Sequence, residues 1–186
     1  MEDVTKRIVC IGGGHCNCQV LKLLKKLIDN HEEGQPKIAL TLISDGDKSF
    51  YSGMLPGSVS QLYEPKDITV ELAPLAKWCK AEYIDARVEK IEASANKVHC
   101  ANGKVVEYDA LAVNVGSKTK DTGNIKGVWE NALTTRPIND LLGKIEKKEQ
   151  DLKAKGVVPV VAVCGGGAAG TELSFAFKVR WSKYFG

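Results

Sequence analysis

Two stretches decide the fold: Ile8-Val-Cys-Ile-Gly-Gly-Gly-His-Cys-Asn17 near the start, and Val157-Val-Pro-Val-Val-Ala-Val-Cys-Gly-Gly-Gly-Ala-Ala-Gly170 near the end. Each is a short apolar run of strand type that stops at a glycine cluster. After the first, Val20, Leu23, Leu24, Leu27 and Ile28 recur at helical spacing, with Lys22, Lys25 and Lys26 on the other face. The helical pattern gives out at Asn30-His-Glu-Glu-Gly34. A buried-type strand, Ile38 to Ile43, follows and ends in the breaker cluster Ser44-Asp-Gly-Asp47. The opening is therefore strand, glycine turn, helix, strand. Such a unit closes right-handed and opens its ligand crevice at the carboxyl ends of the strands.

Further along, Ser49-Phe-Tyr-Ser-Gly-Met-Leu-Pro-Gly57 reads as a loop, and Asp67 to Cys79 as a helix disturbed by Pro74. Tyr83–Val88, Lys97–Cys100 and Lys104–Tyr108 are short, alternating and split by turn residues, as in a small antiparallel meander. Asp109 to Val115 reads as a further buried parallel strand ending at Gly116-Ser117, Pro137 to Lys155 as a charged helix, and Val157 to Val163 as another buried strand. The expected fold is α/β: a doubly wound Rossmann-like parallel sheet with an antiparallel β-meander, followed by the start of a second Rossmann unit. Residues 1–120 form the first nucleotide-binding part, 121–156 a linker with the charged helix, and 157–186 the opening of a second nucleotide-binding domain. The residues after Gly170 suffice for one helix and supply no second strand, so the sequence reads as an N-terminal piece of a longer protein.

Composition narrows the function. The 26 Lys and Arg stand against 23 Asp and Glu, an excess too small and too evenly spread for nucleic-acid binding. The longest apolar run, Val157 to Cys164, is far short of the roughly 18 residues of a membrane span. The start carries neither a signal nor a transit pattern, which makes a cytoplasmic chain the default. The six cysteines lack zinc spacing and are too sparse for a disulfide scaffold, so no metal site is expected.

In Gly165-Gly-Gly-Ala-Ala-Gly170 the pattern Gly-x-Gly-x-x-Gly is complete. Its first glycine serves the tight turn, the second the approach of a pyrophosphate, and the third close packing of helix on strand. The phosphates then sit at the positive helix end. The first copy has Gly12, Gly13 and Gly14 but Asn17 where the third glycine would stand. An acid is expected at the end of the second strand to hold ribose hydroxyls, and Asp45 is there, beside Ser44. Asp45 serves equally well as a turn former. His15 could donate to a phosphate or simply touch solvent. Glu172 could be a helix-opening acid favoured by the dipole. Cys16 and Cys18, two apart on a helix, face different directions and read as separately packed thiols. Tyr51 and Phe50 could stack on a ligand or plug a core edge, and Lys144, Lys147 and Lys148 mark a solvated helix face.

The order of the first glycine turn, Ser49 to Gly57, a meander, Tyr108-Asp-Ala-Leu-Ala-Val-Asn-Val-Gly-Ser117 and Gly165-Gly-Gly-Ala-Ala-Gly-Thr-Glu172 resembles the FAD-dependent pyridine nucleotide-disulfide oxidoreductases. It is nearest the NADH dehydrogenase-like flavoprotein domain found with selenide, water dikinase. The resemblance implies FAD on the first unit, with Gly12 and Gly14 at its pyrophosphate, Gly13 beside them, His15 at a phosphate or the flavin, Asp45 or Ser44 at its ribose, the backbone around Val88 at its adenine, and Gly116 close by. It implies NADH or NADPH on Gly165, Gly167 and Gly170, with Glu172 towards the nicotinamide. It further implies hydride transfer from nicotinamide to flavin, release to a small-molecule acceptor such as a quinone, peripheral membrane contact, and association with selenide, water dikinase. The disulfide-reducing branch carries a cysteine pair after the second strand. Ser49 to Ser60 has none, so the likeness moves towards the quinone-reducing type II NADH dehydrogenases. No catalytic side chain is assigned. Two other readings stand beside this one: a truncated nucleotide- or partner-binding module without turnover, and a methyltransferase using the first glycine turn alone, which the second turn argues against.

Overall fold

Along β1 (Thr5–Ile11) the side chains alternate between two cores. Ile8 and Cys10 face one side of the sheet, Val9 and Ile11 the other. β2 (Lys37–Ser44) repeats the pattern with Leu40 and Leu42 on the first side and Ile43 on the second. Burial on both faces is what a parallel strand requires. The computed structural model describes residues 5–117 and 125–185. The chain divides into two compact units, one built from residues up to Ser49 with Val70–Gly116, the other from Phe50–Thr69 with the residues after Gly116. The boundary expected at residue 120 lies outside the described residues.

The first unit is a four-stranded parallel sheet in the order β5-β2-β1-β9, with β5 at Glu82–Asp85 and β9 at Ala110–Val113. α1 (His15–Asp29) and α3 (Leu72–Trp78) supply Cys18, Leu21, Leu72 and Ala76 to the first core. A three-stranded antiparallel sheet of β6 (Val88–Glu92), β7 (Lys97–Cys100) and β8 (Val105–Glu107) supplies Val98 and Cys100 to the second. The parallel sheet is thus a layer between helices and a meander. Leu21 and Leu42 are fully buried at its centre, where truncation to alanine costs about 2–5 kcal/mol.

Several expectations are corrected here. Tyr83–Val88 does not belong to the meander, because Glu82–Asp85 pairs parallel with Thr41–Ser44 and only Val88 begins the antiparallel sheet. Leu23 and Leu27 of α1 are exposed, since the buried stripe runs through Asn17, Cys18 and Leu21. Asp67–Cys79 splits into a 3-10 turn, strand β4 (Thr69–Glu71) and α3, and Pro74 sits in the first turn of that helix, where its missing N–H disturbs nothing. β4 and β3 (Lys48–Phe50) form a separate two-stranded sheet. Asp109–Val115 is only half-buried, because β9 is the sheet edge and pairs with β1 alone.

Ser49–Gly57 is not a plain loop: Ser49 and Phe50 end β3, and in the second unit a 3-10 turn over Ser52–Met54 leads into α2 (Leu55–Val59). α2, α5 (Ile138–Ala154) and α6 (Ala168–Phe185) meet over Leu55, Val59, Leu141, Ile145, Leu173 and Phe177. A short helix, α4 (Val128–Asn131), precedes them. Lys144, Lys147 and Lys148 lie on the exposed face of α5, as expected. Val157–Val163 is not a buried strand. It joins no ladder among the described residues, and Val160 is 99% exposed. A parallel strand needs at least one strand beside it to take up its hydrogen bonds, and the second unit offers it none among those residues. No helix among the described residues is long and apolar enough to cross a membrane.

Candidate functional site

The carboxyl ends of β1, β2, β5 and β9 line one edge of the first sheet. They bring together Gly12–His15, Ser44–Asp45, Asp85 and Asn114–Gly116. The glycine turn is bound tightly into this edge. Gly12 N–H donates to Ile43 O at 2.7 Å, Gly14 N–H to Asn114 O at 3.2 Å, and Asn114 N–H to Ile11 O at 2.8 Å. Gly12 has φ +82°, and a Cβ on it would stand 2.4 Å from the Asn114 carbonyl. A Cβ on Gly13 would stand 2.4 Å from the Leu72 side chain, and one on Gly14 2.0 Å from Asn114 Oδ1. The backbone therefore runs closer to β9 and α3 than any side chain permits.

Two asparagines complete the turn. Asn17, buried in α1, donates through Nδ2 to Ile11 O at 2.9 Å and Gly12 O at 2.8 Å. It fills the third-glycine position with a brace rather than a gap. Asn114 was missed in the sequence reading. Its Oδ1 accepts Cys16 N–H at 3.1 Å and so caps α1, whose own N-cap, Gly14, has no side chain to do it. The only sequence signal for it is an amide residue closing an apolar strand in Val113-Asn-Val-Gly116.

The turn suits an anion. α1 has no acid in its first turn, so its positive end is uncompensated. Gly13 is buried, and its N–H makes no hydrogen bond among the described residues. Across the edge, Ser44 is partly buried and its carbonyl accepts Ala86 N–H at 3.0 Å. The following turn is pinned by Gly46 N–H to Asp85 Oδ1 at 3.2 Å and by Tyr83 O–H to Gly46 O at 2.9 Å. This leaves the exposed Asp45 carboxylate without a hydrogen bond or ion pair among the described residues. Gly116 is exposed, with φ +75° and open space around it. Val88 starts β6 and packs its side chain into the second core, so that only its backbone is available to a ligand. His15 is exposed at the first position of α1.

The second glycine turn belongs to the second unit and divides the same tasks among its glycines. Gly165 has φ +115° and makes the turn. Gly167 faces open space, as a phosphate seat needs. A Cβ on Gly170 would stand 2.0 Å from Gly165 O, so this glycine serves close packing. Glu172 is exposed and lies beyond the first turn of α6, which holds no acid, so it is not a helix-opening residue.

The cysteines form no redox pair. Cys16 is exposed, while Cys18 points inward and its thiol lies 3.3 Å from Gly13 O. Burial pushes the Cys10 thiol up to about 11, with Cys18 adding to it, and raises Cys18 and Cys79 as well. These are core thiols. Among the described residues no group of His, Cys, Asp or Glu could hold a metal ion.

A parallel strand ending in a glycine turn, a helix starting on it, and an acid after the next strand are the architecture of the Rossmann-like nucleotide-binding class. Within that class the chain belongs to the pyridine nucleotide-disulphide oxidoreductase family, which matches residues 6–183. It is 30% identical over 179 residues to the sulfide-quinone reductase of Aquifex aeolicus, covering 96% of this chain and 39% of that protein. It is 25% identical over 183 residues to a type II NADH:quinone oxidoreductase of Staphylococcus saprophyticus, covering 92% and 43%. Among solved structures, the Aquifex aeolicus sulfide:quinone oxidoreductase superposes with a TM-score of 0.64 at 30% identity, over 80% of this chain and 32% of that one. The reduced CoADR-RHD of Bacillus anthracis gives 0.72 at 21% identity, over 95% and 31%. The chain thus spans about two-fifths of the curated relatives it matches.

Proposed function

We propose that this chain carries the FAD-binding part, and the opening of the NAD(P)H-binding part, of a flavin-dependent oxidoreductase that takes hydride from NADH or NADPH and passes electrons to a small acceptor such as a quinone. The carrying observation is the first glycine turn: three consecutive glycines without room for a Cβ, at an uncompensated helix end, facing an unpaired carboxylate one strand away. Gly12, Gly13, Gly14 and His15 would hold the FAD pyrophosphate, Asp45 or Ser44 the ribose hydroxyls, and the Val88 backbone the adenine, with Gly116 close to the cofactor. Gly165, Gly167 and Gly170 would hold the NAD(P)H pyrophosphate, with Glu172 towards the nicotinamide. When bound, FAD supplies the hydride-accepting and electron-releasing centre that no side chain here provides.

The relatives' names include quinones as acceptors, which supports that acceptor class and, with it, a cytoplasmic protein touching the membrane surface. We assign residues 1–120 to the FAD part, 121–156 to a linker, and 157–186 to the start of the nicotinamide part. Association with selenide, water dikinase rests mainly on Ser49–Gly57, and co-elution of the two proteins is its test.

One observation favours the alternative of a nucleotide-binding module without turnover. Val157–Val163 lies exposed outside any sheet, so the nicotinamide turn has no strand layer beneath it among the described residues. The expected result for the isolated chain is retention of yellow FAD through gel filtration, with no bleaching by NADH. Failure to retain FAD overturns the proposal, and bleaching overturns the alternative.

A further inference from the structure

We propose that Asn114 is a ligand-binding residue of the first dinucleotide site, its amide N–H₂ donating to the anionic phosphates that the glycine turn would hold. This rests on the functional reading above. The Asn114 atom that meets Cys16 N–H at 3.1 Å must be an acceptor, hence Oδ1. That bond fixes the orientation of the whole side chain, since an amide has one oxygen and one nitrogen on a planar carbon. Nδ2 is then the outward group. It has no partner among the described residues, and it is not among their buried unsatisfied atoms, so it reaches solvent. The amide stands directly over Gly14, whose absent Cβ leaves the space it occupies. Asn114 is also anchored in the main chain, accepting from Gly14 and donating to Ile11. An anion seated on the buried N–H of Gly13 and the positive end of α1 would therefore find a fixed side-chain donor beside it. Asn17 cannot serve, because its Nδ2 is already shared between Ile11 O and Gly12 O.

Aspartate at this position separates capping from ligand binding. Asn114→Asp keeps an acceptor for Cys16 and places a negative charge at a helix N-terminus, which is favourable in the free chain. It also turns the outward donor into an anionic oxygen facing the phosphates. The expected outcome is a thermal midpoint for the free variant equal to or above wild type, with FAD affinity, read by quenching of flavin fluorescence, weakened at least about tenfold. Asn114→Ser, which retains an acceptor and adds no charge, should weaken FAD by less. If Asn114→Asp binds FAD like wild type, or if serine costs as much as aspartate, the proposal fails and Asn114 is a cap only. The serine comparison also decides the matter should aspartate prevent folding: serine affinity equal to wild type overturns the proposal, and a loss with an unchanged midpoint supports it. If wild type itself takes up no FAD, the functional reading falls, and this proposal with it.

Discussion

Gly12 and Gly14 look interchangeable in the sequence and are held by different constraints. A methyl group on Gly12 meets the main-chain carbonyl of Asn114 at 2.4 Å, at a φ of +82° that L residues avoid. Neither the carbonyl nor the torsion can give way without breaking the β1–β9 pairing. On Gly14 the obstruction is chiefly the Asn114 side chain, which can rotate, although the main-chain carbonyl at 2.7 Å limits the relief. Gly12→Ala is therefore expected to lose about 3 kcal/mol or more of stability, and Gly14→Ala about 1–3 kcal/mol, chiefly through the uncapped Cys16 N–H. Urea unfolding of the two variants checks the order, and equal losses would contradict it. Asn114 itself was not legible from sequence, because its importance comes from β9 lying beside β1, a pairing between residues about a hundred positions apart in the chain.

At the scale of elements, α5 and α6 are locked by one buried cluster. Glu149 accepts Arg180 Nε at 2.5 Å, Arg180 Nη2 at 2.7 Å and Trp181 Nε1 at 2.6 Å, while Arg180 Nη1 reaches Val59 O at 3.3 Å. Both charged side chains are at most 5% exposed, and the carboxylate raises the guanidinium further above its ordinary range. Glu149→Ala leaves a buried cation alone and should cost about 3–5 kcal/mol. Replacing both partners, as in Glu149→Leu with Arg180→Met, should recover most of that and not all, because Trp181 N–H still lacks an acceptor. Thermal melts of the single and double variants test this, and additive losses would refute it. The elements were legible where periodicity is long. The opening strand, helix and strand follow directly from Ile8–Ile11, Val20–Ile28 and Ile38–Ile43. The misreadings came from short segments whose environment is set elsewhere. Tyr83–Asp85 alternates like a meander strand and is claimed by β2. Val157–Val163 has the composition of a buried strand and finds no sheet to enter among the described residues.

For the molecule as a whole, titration should be asymmetric. The Cys10 thiol, pushed from 9.0 up to about 11 by burial, stays protonated in the folded chain while the unfolded chain ionises. Its contribution is complete below pH 9.0 and is lost as pH rises to about 11. On the acid side Asp109 and Glu107 are held low by Arg7, Asp29 by Lys25 and Glu92 by His99. Their contribution is present above the ordinary carboxylate range and fades as pH falls through the lowered values. Asp109, Glu107 and Asp29 are exposed and Glu92 is partly so, which makes that limb shallow. A midpoint-against-pH curve should therefore fall more steeply above about pH 9 than below about pH 4, and Cys10→Ala should flatten the alkaline limb. An unchanged alkaline limb in that variant would show that the core thiol is not its source.

The brace at Asn17 makes glycine a poor substitute at the position where a nucleotide-binding turn ordinarily carries it. Asn17→Gly would strip the side-chain donor from Gly12 O and leave Ile11 O with Asn114 N–H alone, at a loss of about 1–3 kcal/mol. A search keyed to glycine at residue 17 would therefore pass this turn by, although the asparagine there closes helix onto strand by hydrogen bonds instead of by close approach.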